Sequence, residues 1–194
     1  IKAFADDKTL LQYDDNNNIR SFYETEGFLA DSNFFQLLTY KFIEGNPDKA
    51  LIEPNSLVLS KEIAEKLFGQ ESALGKMVHI SSNTNGDYDF RVTGVFVPNT
   101  KPSHIGARFF MSIKGGDIET YIRNRTEMAS NNILLTYFQL REDADAKKLE
   151  AKFPAFIDKY VSKDLKALGF YKKQYHTPVR DIYLHSNNNS SVKG

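Results

Sequence analysis

The 194-residue chain contains no cysteine, and its 25 basic side chains are balanced by 25 acidic ones. The missing cysteine excludes disulfides, thiolate metal sites and cysteine nucleophiles, although it leaves the cellular compartment open. The zero net charge removes the overall basic excess that would neutralise nucleic-acid phosphates or hold an anionic membrane. We therefore predict no nucleic-acid partner and no non-specific attachment to a membrane surface.

Long apolar runs are missing as well. No stretch approaches the roughly 18 to 20 apolar residues needed to cross a bilayer, because Thr136 interrupts the best run, residues 133–138. The chain also begins with Ile1 and has no basic-then-apolar signal at its start. We expect it to be a segment of a longer polypeptide.

What the chain does contain is enough apolar material for a core. Hydrophobic residues make up 41% of the sequence, and the aromatic share of 13% consists of 15 Phe and 10 Tyr. This composition excludes wholesale disorder, and the length suits one large domain or two small ones.

The first half of the chain is predicted to be rich in strands. Alternation and Asp/Asn-rich turns predict extended segments at residues 1–5, 9–13, 19–24, 57–59, 77–82 and 88–97. A short helix is predicted at 31–40, and a second at 61–68, where Ser60 precedes the helix as a cap and Gly69 follows as a stop. The Asn85-Gly86 pair favours a tight hairpin, and Gly94 indicates a bulge or a close backbone approach.

The second half mixes strands and helices. Strands are predicted at residues 107–113, 133–140 and 177–185, and helices at 117–128 and 143–168, with a kink or break at Pro154. The long helix is expected to pack on a sheet through Leu149, Phe153, Ile157 and Tyr160. The pattern predicts an α+β fold in which a smaller β-rich subdomain, residues 41–114, is inserted into a segment made of residues 1–40 and 115–194.

Motifs for catalysis, cofactors or metals are weak. Residues 69–76 resemble a phosphate-binding loop, but five residues instead of four separate Gly69 from Gly75, and Met77 occupies the position of the Mg²⁺-binding Ser or Thr. We interpret the segment as a turn between helix and strand. Residues 14–18 lack the glycine and glutamate that an EF-hand needs.

Individual histidine, serine and carboxylate residues also form no recognisable catalytic or metal-binding motif. The four histidines, His79, His104, His176 and His185, form no i, i+3 or i, i+4 ligand pair. Ser60 is a better helix cap than nucleophile, and Ser103 beside His104 does not meet the geometry of a nucleophile and its base. The carboxylate pairs are interpreted as solvated turns or wet strand faces: Asp6 and Asp7, Asp14 and Asp15, Asp87 and Asp89. We predict no catalytic, cofactor or metal residue and no enzyme activity, and we leave substrate-binding or partner-binding residues unassigned.

Neighbouring aromatic residues leave two interpretations open. They occur as adjacent or near pairs: Phe34 and Phe35, Tyr40 and Phe42, Phe109 and Phe110, Phe170 and Tyr171. They fit packing in the core and between subdomains, or an exposed patch for a partner.

A series of short motifs resembles the extracytoplasmic core domain of MacB-like ABC transporter permeases, the MacB/FtsX-type family. In chain order these motifs are Asp31-Ser32-Asn33-Phe34-Phe35, Phe42-Ile43-Glu44-Gly45-Asn46-Pro47, Ala50-Leu51, Leu57-Val58-Leu59-Ser60, Ala64, Lys66-Leu67-Phe68-Gly69, Leu74-Gly75-Lys76, Val92-Thr93-Gly94-Val95 and Ser103-His104. Asp181-Ile182-Tyr183-Leu184-His185-Ser186 is similar to the segment that closes this domain before the second membrane helix. Each motif is unspecific alone, but their order is that of the family.

The resemblance implies an architecture and a cellular role. Residues 1–40 and 115–194 would form a porter-like α/β subdomain, whose opening strand and helix are expected upstream of Ile1, and residues 41–114 a Sabre-like β-rich insertion. The domain would lie on the periplasmic side of the bacterial inner membrane and couple ATP-driven motion of membrane helices to the handling of a substrate or partner. Its implied partners are the flanking helices of its own permease, a cytoplasmic ATP-binding subunit or domain, a periplasmic adaptor or outer-membrane exit duct, and a second permease copy.

A ligand-sensing module is the alternative interpretation. It would bind a small molecule or glycan in a cleft between the subdomains. A deep cleft lined by Tyr and Asn would favour sensing, whereas a convex, aromatic-rich tip would favour partner docking.

Overall fold

The computed structural model describes residues 8–15, 18–99, 103–125, 134–169 and 171–185, with side chains as far as 182. The chain forms two compact units. The sheet unit comprises Ile1–Lys101, Ile105–Asn124 and Ile133–Tyr137, and the helical unit comprises Pro102–His104, Arg125–Asn132 and Phe138–Gly194. No helix among the described residues is long and apolar enough to span a membrane.

The sheet unit contains eight strands and three helices in its described part. In chain order they are β1 Thr9–Asp14, β2 Ile19–Glu24, β3 Gly27–Ala30, α1 Phe34–Leu37, β4 Lys41–Gly45, β5 Ser56–Ser60, α2 Lys61–Phe68, β6 Met77–Ser82, β7 Gly86–Val97, β8 Phe109–Ser112 and α3 Asp117–Asn124. The strands form one sheet in the order β2-β1-β6-β7-β5-β8-β3, and β4 also pairs with β7. The β5–β7 and β3–β8 pairs are parallel and the others antiparallel.

Both faces of this sheet carry apolar clusters. On one face, α2 and α3 pack over β1, β5, β6 and β7, and Leu11, Ile63 and Phe90 are among the buried residues. On the other face, α1 and the turns at 47–55 pack over β5, β8 and the end of β7, where Phe34, Leu51 and Phe110 are buried. Because side chains alternate along a strand, Leu57 and Val58 belong to opposite clusters.

Local sequence signals are confirmed where capping or turn residues define the element. The Ser60 hydroxyl accepts a hydrogen bond from the Ile63 amide at 3.4 Å, and Gly69 ends α2 with φ +67°. The β6–β7 hairpin turns at Gly86, whose φ is +78°. A bulge is also present beside Gly94, where a side chain would meet the Phe42 ring at 2.5 Å.

The helical unit contains four short helices in its described part, α4 Ala146–Glu150, α5 Phe153–Tyr160, α6 Ser162–Leu168 and α7 Val179–His185. The break predicted near Pro154 in the helix at 143–168 is confirmed, because α4 ends at Glu150 and α5 begins at Phe153; a second break, between α5 and α6, was not predicted. Pro154 lies in the first turn of α5, where its missing amide costs no hydrogen bond. The stripe predicted through Leu149 to Tyr160 is wrong at its end, because Tyr160 is 54% exposed; the buried cluster instead contains Val161 and Leu165.

Two predicted strands are wrong. Residues 134–140 form no regular element. Residues with high β propensity form a strand only beside a hydrogen-bonding neighbour, and no described strand pairs with these. Residues 179–185 form α7, because Pro178 suits a helix start and its carbonyl accepts the Asp181 amide at 2.9 Å.

Several other boundaries differ from those predicted. The helix predicted at 31–40 is one turn, α1, and the short strands β3 and β4 were not predicted. The helix predicted at 117–128 ends at Asn124, and residues 126–128 lie outside the described residues, as do those of the predicted strand 1–5.

The predicted subdomain boundaries divide the chain differently from the compact units. Strands β1, β2 and β3, from residues 1–40, belong to the same sheet as β4 to β8 from residues 41–114. The assignment of these segments to porter-like and β-rich subdomains stays a prediction.

Candidate functional site

The histidines and serines that were candidates for catalysis or metal binding lie in both units. In the sheet unit, His79 contacts the Asp89 carboxylate at 2.9 Å on an exposed strand pair. In the helical unit, His176 Nδ1 lies 3.0 Å from Glu150 Oε2, and burial lowers the pKa of His104. The side chain of His185 lies outside the described residues. Ser60 is confirmed as a helix cap, and among described residues no three His, Asp or Glu side chains are grouped to hold a metal ion.

The predicted carboxylate pairs are exposed where the structure describes them. Asp14, Asp15, Asp87 and Asp89 are solvent-exposed, which confirms their interpretation as turns or a wet strand face. Asp6 and Asp7 lie outside the described residues. Residues 69–76 connect α2 to β6, so the prediction of a helix-to-strand turn is confirmed.

Glu24 is the one charged side chain that is buried among the described residues, at 5% exposure. Its two oxygens contact Lys66 Nζ at 2.7 Å and Arg108 Nη1 at 2.9 Å, and Lys66 also lies 5.0 Å over the Phe22 ring. Both oxygens of the carboxylate therefore contact a cation. The contacts fasten the outer strand β2 to α2 and to Arg108, the residue before β8.

Aromatic rings form the second apolar cluster of the sheet unit. Phe110 is fully buried, and its ring centroid lies 4.8 Å from Phe34, 5.1 Å from Phe35 and 5.2 Å from Tyr40. The core interpretation is therefore confirmed for Phe34, Phe35, Phe109 and Phe110, which are all buried. Tyr171 is 90% exposed, and Phe170 lies outside the described residues.

Two tyrosines of this cluster have perturbed acidity. Burial, and secondarily the charge of Tyr137, raises the pKa of Tyr40 to about 12. Burial alone raises the pKa of Tyr137 to about 12. Both hydroxyls therefore keep their protons in the folded chain at a pH where exposed tyrosine ionises.

The raised pKa of Tyr40 predicts a loss of stability at alkaline pH. Between pH 10 and about 12 the unfolded chain releases the Tyr40 proton and the folded chain keeps it, so the free energy of unfolding falls as the pH rises. Tyr40→Phe should make that fall shallower in urea melts at pH 9 and pH 11, buffers chosen roughly to bracket the tyrosine range. Tyr23→Phe, at a position 66% exposed, is the control. Equal slopes for Tyr40→Phe and the parent chain would contradict the assignment.

The sheet presents an exposed surface over β2, β1, β6 and the first half of β7, which we call the open sheet face. Across it, Tyr23 lies opposite Leu10, and Leu10 opposite Ser81. A second row runs from Ser21 through Gln12 and His79 to Asp89. Since Leu11, Val78 and Phe90 point to the opposite, buried face, alternation directs these rows outward.

Three large apolar side chains stand on the open sheet face. Ile19 is 61% exposed, Tyr23 66% and Met77 44%, and the His79–Asp89 contact lies among them. Scattered apolar side chains are normal on a surface, but here they share one strand-built face with polar neighbours. Such a surface is suited to contact with another protein. Sequence reasoning missed it, although Tyr23 and Ile19, four residues apart on one predicted strand, were a usable signal.

Most of the chain matches one known protein family. A sequence profile of the MacB-like periplasmic core domain matches residues 3–156. The match therefore begins well before the first motif, at residue 3, and ends before residues 181–186, whose role as the closing segment stays a prediction. Comparison with curated proteins finds no match.

Solved structures also resemble this chain. A permease-protein domain from Porphyromonas gingivalis is 19% identical, with 85% of this chain and 70% of that chain covered and a TM-score of 0.56. At this identity the likeness shows a shared fold. The periplasmic region of MacB from Actinobacillus actinomycetemcomitans is 14% identical over 89% of this chain and 76% of that one, with a TM-score of 0.48. The extracellular domain of the ABC-type transporter YknZ from Gram-positive bacteria is 18% identical over 63% and 56%, with a TM-score of 0.40.

Proposed function

This chain belongs to the MacB-like periplasmic core domain family of ABC transporter permeases, and from that premise we propose that it transmits ATP-driven membrane-helix motion to a partner protein outside the inner membrane. In this proposal the domain lies on the periplasmic side, attached to helices of its own permease and served by a cytoplasmic ATP-binding subunit or domain. It acts by moving and docking, without catalysis of its own. A periplasmic adaptor and a second permease copy are its proposed partners.

The observation that carries the proposal is an exposed apolar surface on strands whose outer member, β2, is tied by ion pairs to the rest of the sheet unit. Force transmission needs a unit that moves without deforming, and β2, which carries Ile19 and Tyr23, is fastened by the buried Glu24 contacts. A partner that docks on the open sheet face would therefore be coupled to the whole sheet.

Point substitutions on the open sheet face test this role. A larger change, such as deletion of residues 40–113, would remove five of the eight strands, β4 to β8, so its result could not be attributed to docking. In the full permease, Ile19→Ser with Tyr23→Ser should abolish transport or cargo release while ATP hydrolysis stays measurable. The control is Ile52→Ser, because Ile52 is 40% exposed but lies in the turns at 47–55. Transport at the parent rate in the double variant would contradict the docking role.

A further inference from the structure

The charge of the chain is unevenly distributed. Residues 144–180 contain nine Lys or Arg and four Asp or Glu, a net charge of +5 in a chain whose overall net charge is zero. The remainder therefore carries the opposite charge. This basic segment lies wholly in the helical unit and includes α4, α5 and α6. The zero net charge thus conceals a region that would be attracted to an anionic surface.

One face of α5 joins this charge to exposed aromatic rings. Lys152, the N-cap residue, lies four residues before Phe156, Tyr160 four residues after it and Lys159 three residues after it, so all four share a side of the helix. Phe156 is 42% and Tyr160 54% exposed, their ring centroids are 5.0 Å apart, and Lys159 Nζ lies 4.9 Å from the Tyr160 centroid. We call these four residues the aromatic-lysine face.

The aromatic-lysine face is separate from the small buried cluster of the helical unit. That cluster consists of Val161 and Leu165, with Ile157 packed against it. Phe156 and Tyr160 are not among its members, and Asp158 lies on the other side of α5, away from the two lysines. The rings are consequently available for an external contact.

We propose that the aromatic-lysine face of α5 binds the headgroup region of an anionic phospholipid bilayer. Helices that lie in a membrane interface combine an apolar side, which enters the headgroup and acyl boundary, with Lys or Arg beside it. Phe156 and Tyr160 supply that side, and Lys152 and Lys159 can lay their methylene stems along it while their charges reach the phosphates. The binding would fix the helical unit at the membrane surface, which is a role distinct from docking through the open sheet face.

Vesicle co-sedimentation of the 194-residue chain tests the proposal. The chain should sediment with vesicles of phosphatidylcholine and phosphatidylglycerol at low salt, much less at high salt, and not with phosphatidylcholine alone. Phe156→Ser with Tyr160→Ser, and separately Lys152→Glu with Lys159→Glu, should each weaken partitioning about tenfold or more. The matched control, Ile19→Ser with Tyr23→Ser, changes two exposed apolar residues of the sheet unit and should sediment like the parent chain.

Three outcomes would overturn the proposal: no binding to anionic vesicles, equal binding to both vesicle types, or parent-like binding by both α5 variants. Circular dichroism and urea melts of each variant separate loss of binding from loss of folding. Because the two surfaces are changed by different variants, a failed transport test at Ile19 and Tyr23 and a failed vesicle test at Phe156 and Tyr160 are independent results.

Discussion

Phe110→Ala should lower the free energy of unfolding of the sheet unit by about 3 to 5 kcal/mol, the usual cost of deleting a buried phenylalanine ring. Phe110 is 0% exposed and contacts five other rings in the second cluster. Their centroids lie between 4.8 and 6.2 Å from it, and they belong to Phe28, Phe34, Phe35, Tyr40 and Phe96. Because α1, β4, β7 and β8 all contribute to this cluster, its neighbours can collapse into the cavity only partly.

Urea melts followed by circular dichroism measure this loss. Tyr171→Ala is the control, because Tyr171 is 90% exposed and its removal should change the free energy of unfolding by less than about 0.5 kcal/mol. A loss below about 1 kcal/mol for Phe110→Ala would mean that the aromatic cluster is not packed as described.

Gly45→Ala should cost about 2 to 5 kcal/mol, the sum of two effects. Gly45 has φ +84°, where a β-carbon costs about 1 to 2 kcal/mol. That β-carbon would also lie 2.3 Å from the Thr93 carbonyl oxygen and 2.9 Å from the Gly94 α-carbon. Both atoms are backbone of β7, so the clash cannot be relieved by turning a side chain, and overpacking of this kind adds about 1 to 3 kcal/mol.

Gly69→Ala is the matched control for this prediction. Gly69 also has a positive φ, +67°, but no atom lies within 4 Å of an added β-carbon. It should therefore show only the backbone cost, about 1 to 2 kcal/mol, in the same melts. Equal losses at the two positions would mean that β4 does not approach β7 as closely as described.

The candidate surfaces were only partly predictable. Glu24 contacts Lys66, which lies 42 positions further along the chain, and Arg108, which lies 84 positions further. No local sequence pattern predicts such a pairing. From the sequence, the aromatic pairs fitted either a core or a contact patch. The structure shows Phe34, Phe35 and Phe110 packed together in one buried cluster. The zero net charge argues against membrane attachment only for the chain as a whole. The basic residues 144–180 are balanced by acidic residues elsewhere in the chain.

The family and the elements whose signals are local could be predicted from the sequence alone. Ser60 and Gly69 define α2, and Asn85-Gly86 defines the β6–β7 hairpin, because each signal lies within a few residues of the hydrogen bonds that it sets. Strands that depend on distant partners could be located only in the folded structure. β3 pairs with β8 about eighty residues away, whereas the strand-prone residues 134–140 pair with no described strand and remain irregular. A strand is stabilised by its neighbour, and that neighbour is chosen by the fold as a whole.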